Sequence, residues 1–308
     1  MNVLIPDLFV SDTCQLGEGP FWWQERLWWV DVDVGQLHSV DGSARYKKTY
    51  CIGQRIGAAA PLVMGGFIVG VEEGIGTFDP DLERLEILHR PEQHIEGSRF
   101  NDGKCDPRGR FVAGTLNRTG RQKSSALYSM DRRGNLQKLI APVSLSNGMA
   151  WNANGSVFYY IDTPTRELAV FSYDLHSGLL GNRRTAIRFP DNTGWPDGMC
   201  IDQAGKLWVA HWGGSSVRCW CPETGECLAE IRMPCTQPTS CCFGGPDFAS
   251  LYITTARQSE DLSKHPGAGS IYVCPNLTPG LPGNICAFER ANHSVGKFAA
   301  DKADSARE

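Results

Sequence analysis

The sequence predicts an all-β fold, a six-bladed β-propeller running through residues 1–308 as one domain. Three observations predict it. Short β-branched and aromatic runs recur at a steady period. Each run follows a turn rich in Gly, Asn or Asp. No stretch repeats apolar residues at helical spacing over the ~10 or more positions that a helical solenoid needs. Composition agrees: 34 Gly and 18 Pro punctuate the chain too densely for long helices, and 41% hydrophobic residues supply a large core.

Taken in order, the runs are "LWWVDV" from Leu27, "FIVGVEE" from Phe67, "FVAGTL" from Phe111, "VFYYID" from Val157, "LWVAHW" from Leu207 and "LYITTA" from Leu251. The steps between them are 40, 44, 46, 50 and 44 residues. Turns such as "PRGR", "NANGS", "DQAGK" and "GGPDFAS" precede them, and most runs lead into another strand-like run and a second turn. Each unit has room for about four short strands, which is one blade. The N-terminal run "NVLIPDLFV" is expected to add a strand to the last blade and close the ring. The final ~10 residues read as a flexible tail.

A net charge of −4 gives no reason to expect nucleic acid or an anionic membrane as partner. No run reaches the ~18 apolar residues of a membrane span. The start, "MNVLIPDLFVSDTC", lacks the basic and long apolar regions of a signal peptide, so a cytoplasmic protein is expected. The twelve cysteines include no C-x-x-C pair. They read as free, mostly buried thiols acting as small hydrophobes, with a disulfide framework as the weaker alternative. Cys241-Cys242 has no separate role in this reading.

The repeat also organises the polar clusters. Ten residues before Phe111, Val157 and Leu207 stand Asn101, Asn147 and Asp197. The same count reaches Gly57 and Cys241 in two other units, and nine before Leu27 is Glu18. In a propeller the first strand of each blade lines the axis, so equivalent positions converge at the channel mouth. Two carboxylates and two amide oxygens aimed at one point repel and are costly to desolvate. A hard divalent cation resolves this. The oxygen-only set leaves calcium, magnesium, manganese and oxygen-bound zinc or iron open. Asn-Gly and Asp-Gly also form ordinary turns, but that reading does not explain why they share one register of a sixfold repeat.

At these residues the chain resembles the gluconolactonase/regucalcin family of six-bladed propellers. The matching stretches are "LGEGPFW", "RFNDGKCDPRGRFVAGT", "SNGMAWN", "FYYIDT", "PDGMCIDQAGKLWVAHWGG" and "PTSCCFGG", spanning about residues 16 to 257. The resemblance implies one divalent cation held by Glu18, Asn147 and Asp197. It implies substrate contacts from Arg99 and Asn101, and Asp197 as general base. The sequence departs from the family after "AGT". Animal members carry acidic residues there, whereas this chain has Asn117, Arg118, Arg121 and Lys123. Substrate preference is therefore not carried over. "WGG" with "NTGWPDG" is more similar to bacterial sugar-acid pathway members than to animal regucalcin, and calcium regulation is not implied.

The implied activity is hydrolysis of a sugar lactone to its aldonic acid. A cation polarises the ring carbonyl and Asp197 takes the proton of the attacking water. Arg99, Asn101 and Asn117 are candidates for holding sugar hydroxyls. His211 in "VAHWGG" is a further candidate, as a second base or hydroxyl ligand, against a plain strand-end role. Trp195 is a candidate for stacking on a sugar face. Asp31, Asp33, Glu72, Glu73 and Asp162 end second strands and read as turn and inter-blade hydrogen-bonding groups. No G-x-S-x-G supports a serine nucleophile. Two alternatives remain: another hydrolase on the same site, acting on phosphotriesters or acyl-homoserine lactones, or a non-enzymatic propeller that binds a cation or a partner. The expected partner is a small-molecule sugar lactone, and the expected assembly is a monomer or weak homo-oligomer.

Overall fold

Each of the six recurring runs forms the second strand of an antiparallel sheet. These strands are Arg26–Asp31, Phe67–Val71, Phe111–Asn117, Val157–Asp162, Leu207–Trp212 and Ser250–Thr255. The computed structural model describes residues 2–289, and the expected C-terminal tail lies outside them. The runs are almost continuously buried because a blade packs against a neighbour on both faces. The innermost strands are Gly17–Trp23, Ile56–Pro61, Ser98–Cys105, Ser146–Trp151, Trp195–Ile201 and Pro238–Gly244. Two further strands complete each sheet outward.

Six hydrophobic clusters fill the six blade interfaces. Between blades two and three, Ala58, Ile68 and Ile75 meet Phe100, Phe111 and Tyr128. Between the last blade and the first, Cys242, Tyr252 and Ile271 meet Leu27, Trp29 and Val40. A ring closed by packing at every joint leaves no apolar blade face open. Burial of one such side chain stabilises by about 1.5–3 kcal/mol.

Closure also uses the N-terminus, as expected. Asp7–Val10 pairs with Ile271–Cys274 as the outer strand of the last blade. The first three described residues do something the sequence reading did not foresee. Asn2–Leu4 pairs in parallel with Cys227–Arg232, giving the fifth blade a fifth strand. The twelve cysteines are all free thiols, most of them buried.

The two ends of the axial channel differ. The inner strands begin at one mouth and end at the other. At the far mouth the chain after the last blade crosses the opening. Leu281 N–H donates to Ile201 O, Cys286 N–H to Pro61 O and Ala287 N–H to Gly109 O. Above this crossing lies an apolar cavity of about 270 Å³ lined by Trp22, Met149, Trp151 and Phe243, with Lys104 at its polar side. No helix among the described residues is long and apolar enough to cross a membrane.

Candidate metal and substrate site

The candidate residues gather at the mouth where the inner strands begin. Glu18 and Asn147 are second in their strands, Asp197 is third and Asn101 fourth. Beside each of them the ladder skips. Pairing jumps from Glu18 to Phe21, from Phe100 to Asp102, from Asn147 to Met149 and from Pro196 to Met199. A β-bulge adds a residue, breaks the alternation between faces and re-aims a side chain. Here it frees polar side chains from the two blade interfaces that strict alternation offers.

The same interruption falls at Gly57 in the second blade and at Thr239 in the sixth. The second-blade position agrees with the repeat count, but the sixth does not. Cys241 pairs with Ile253, two residues beyond the bulge. Its Sγ donates to Trp208 O at 3.2 Å and lies 3.5 Å from Cys200 Sγ, inside the joint between blades five and six. Thr239 holds the equivalent place, donating to Gly17 O at 2.5 Å and so joining the last blade to the first.

Glu18 and Asp197 are buried carboxyls whose pKa values stand well above the ordinary range. For Glu18, burial is the largest cause, followed by the charges of Asp197 and Asp102; the Gly19 N–H and Arg99 act the other way. For Asp197, burial leads and Asp102 adds to it, opposed by Asn147, the Gly198 N–H and Arg99. These two acids and Asn147 therefore share one buried neighbourhood. Asn147 is oriented with particular care. Its Nδ2 donates to Thr163 Oγ1 at 3.0 Å, and that hydroxyl donates to Pro196 O at 2.8 Å. Its Oδ1 is buried with no hydrogen-bond partner among the described residues. An acceptor orphaned beside two carboxyls is costly to bury unless a cation meets it.

Arg99 and Asn101 form the adjoining wall. Arg99 Nη1 donates to Phe100 O and to Asn101 Oδ1, both at 2.9 Å. Asn101 Nδ2 in turn donates to Ser146 O at 2.9 Å, linking blades three and four. Burial lowers the Arg99 pKa to about 10, which leaves the guanidinium charged at neutral pH. It faces a cavity of about 310 Å³ between blades two and three, shared with Glu72, Glu92 and Ser98. Arg118 from the loop after "AGT" reaches Glu72 at 2.9 Å, and Arg55 reaches the same carboxylate at 3.2 Å.

The other candidates are engaged elsewhere. Asn117 Nδ2 donates to Glu96 O at 2.9 Å, and its Oδ1 accepts from Thr119 N–H and Oγ1. Its amide therefore shapes its own turn. His211 is fully buried between blades four and five, with Trp220 Nε1 donating to its Nε2 at 3.2 Å and Phe189 edge-on at 5.4 Å. Burial lowers its pKa to about 3, so it is a neutral core histidine. Trp195 is exposed, but the Arg166 guanidinium already covers its ring at 3.8 Å. Asp31 and Asp162 accept backbone N–H groups from the two residues before the inner strand of their own blade.

Asp102 and Lys104 are the residues the sequence reading missed. Asp102 is buried, its Oδ2 has no partner, and burial raises its pKa. Lys104 Nζ donates to Met199 O across the channel. Both lie in "RFNDGK" beside Asn101. Alternation assigns residues 101 and 102 to opposite faces, so only one of them reads as facing the channel. The bulge after Phe100 removes that restriction. The donor set fits a hard divalent cation. Glu18, Asp197 and the orphaned Asn147 oxygen would hold it, with Asp102 close enough to add its field.

Fold and site together define a class: a six-bladed β-propeller with a buried, oxygen-rich axial site. Within that class the chain belongs to the SMP-30/gluconolactonase/LRE-like family, whose model matches residues 16–257. It is 38% identical over 270 residues to the Bacillus subtilis protein named "Putative sugar lactone lactonase YvrE", covering 86% of this chain and 92% of the relative. It is 34% identical over 287 residues to Xenopus laevis regucalcin, covering 90% and 96%. Among solved structures, a luciferin-regenerating enzyme superposes with a TM-score of 0.83 at 27% identity, over 89% of this chain and 96% of the other. The calcium-binding protein regucalcin from Agrobacterium tumefaciens superposes with a TM-score of 0.86, over 94% and 100%; at 24% identity it supports the fold alone.

Proposed function

We propose that this protein is a divalent-cation-dependent sugar lactonase that hydrolyses an aldonolactone to its aldonic acid. The observation that carries the proposal is the orphaned Asn147 Oδ1, held by Thr163 beside the buried carboxyls Glu18 and Asp197. The family and its lactonase-named members point the same way.

Glu18, Asn147 and Asp197 hold the cation, which supplies Lewis-acid polarisation of an ester carbonyl when bound. Arg99 and Asn101 bind and orient the sugar. Arg99 offers a rigid fork of donors, already aligned by Asn101 and the Phe100 carbonyl. The neighbouring cavity of about 310 Å³ has room for a polyhydroxy ring, and Arg99, Glu72, Glu92 and Ser98 offer it polar contacts. Asp197 accepts the proton of the attacking water on a carboxylate oxygen. The ring C–O bond then breaks as Asp197 returns that proton to the leaving oxygen, giving a free hydroxyl and a carboxylic acid that ionises. Net proton release makes the reaction visible in weak buffer.

The test is proton release from a panel of aldonolactones, using chelator-stripped protein given one cation at a time. One lactone should turn over fast when a cation is restored. Asp197→Ala should lower kcat by about 10²–10⁴-fold, the usual range for losing a positioned base. If no lactone turns over above background with any cation, the lactonase reading fails and the binding-propeller reading moves to the front.

A further inference from the structure

Away from the axial site, three buried side chains of different chemistry meet in the first blade. Cys14 lies in the segment joining Asp7–Val10 of the last blade to Gly17–Trp23 of the first. Asp31 ends the second strand of the first blade, and His38 lies in the third strand, Gln36–Asp41. One ligand atom from each lies within 4.8 Å of the others. We propose that Cys14, Asp31 and His38, with a water as fourth ligand, form a second site for a borderline-soft divalent cation of the zinc type, clasping the seam where the ring closes.

The donor set argues for this class of ion. Sulfur, imidazole nitrogen and carboxylate oxygen together suit zinc far better than calcium or magnesium, which take oxygen alone. The charges also balance. A thiolate, a carboxylate and a neutral imidazole cancel a divalent ion, which a buried site requires. Each ligand already has the outer partner that metal ligands use to hold their orientation. Trp29 Nε1 donates to Cys14 Sγ at 3.4 Å. The Gln15 and Leu16 N–H groups donate to Asp31 at 2.9 and 3.1 Å. His38 Nδ1 meets Thr49 Oγ1 at 2.9 Å, and an Nδ1–H donor there leaves the Nε2 lone pair for an ion.

Two changes accompany loading. Thiolate is the form of cysteine that binds metal, so the incoming ion displaces the Cys14 thiol proton to solvent as the sulfur–metal bond forms. The cluster also contracts. Bond lengths of about 2.0–2.3 Å bring tetrahedral donors to about 3.5 Å of each other. The position gives the ion a structural purpose. Cys14 N–H already donates to Gly269 O at 3.1 Å, so a metal on its sulfur would tie the closing segment to blades one and six together.

Cobalt(II) is the probe. The axial site is built of oxygen, so only a thiolate site gives an intense near-ultraviolet sulfur-to-cobalt charge-transfer band. The metal-stripped full-length protein should develop that band on cobalt titration and lose it on zinc addition. Cys14→Ser should abolish it, and Asp197→Asn should leave it intact. Thr49→Val, a surface change that frees the His38 ring, should keep the band but weaken cobalt binding by about 10–100-fold. Absence of the band in the wild type overturns the proposal. So does a band that survives Cys14→Ser, or one lost instead in a Cys200→Ser/Cys241→Ser variant.

Discussion

At the scale of single residues, the axial site depends on a hydroxyl that touches no substrate. Thr163 Oγ1 accepts from Asn147 and donates to Pro196 O, which fixes how the amide is turned beside the acids. Thr163→Val removes that anchor and lets the amide turn freely. Cation affinity measured by titration calorimetry should fall about 10–100-fold, as for other partners that orient metal ligands, with the fold intact. The acids make a second prediction about the cation-free protein. Burial raises Glu18 and Asp197 above their ordinary values of 4.5 and 3.8, so the folded chain binds protons that the unfolded chain releases. Their contribution to stability is present below those ordinary values and is lost as pH rises through the raised ones. Urea unfolding of stripped protein should therefore show stability declining from about pH 5 upward relative to Glu18→Gln/Asp197→Asn, and saturating cation should cancel the decline. A stripped wild type that tracks the double variant at every pH would show that the acids are not held protonated.

At the scale of strands, the device that builds the site is the bulge repeated on all six inner strands. Its place in the second blade is held by Gly57. A Cβ there would lie 2.3 Å from Phe100 O and 2.6 Å from Asn101 O, both backbone atoms of the strand that carries Arg99 and Asn101. The glycine thus lets two inner strands approach closely. Gly57→Ala should cost about 1–3 kcal/mol by urea unfolding and reduce turnover as well, because the displaced strand carries Arg99 and Asn101, the proposed substrate contacts. Unchanged activity with unchanged stability would mean the strands can part freely. The bulges also explain what the sequence revealed and what it hid. The six second strands were legible because an apolar run between turn residues has a local cause. Glu18, Asn101, Asn147 and Asp197 were legible because the repeat projects local spacing onto a ring. A bulge is set by pairing between strands and leaves no fixed mark in one strand. That is why Asp102 was overlooked. The count also drifted by two residues to Cys241: Leu251 is the second residue of its strand, and the strand starts eleven residues after the bulge at Thr239 rather than ten. His211 misled for a related reason: it pairs with Pro196, beside Asp197, yet its ring points into a blade joint.

At the scale of the whole molecule, the axial site exists only while the ring is closed, because its candidate residues come from blades one, three, four and five. Closure rests on segments far apart in sequence. Asp7–Val10 caps the last blade, Phe9 packs edge-on against Tyr252 at 4.8 Å, and Thr239 reaches across to Gly17 O. Deleting residues 1–10 removes the outer strand of blade six and the parallel strand on blade five together. Two strand edges then lie open, with Ile271–Cys274 carrying a buried, apolar sequence to its edge. An unprotected edge of that kind templates pairing with another chain. The truncated protein should unfold at lower temperature and self-associate in light scattering. Its residual monomer should bind cation more weakly although every axial ligand is retained. If the truncated monomer bound cation as the full chain does, the inner strands alone would hold the ring. The packing between Trp29, Leu27 and Tyr252 at the last joint would then suffice for closure.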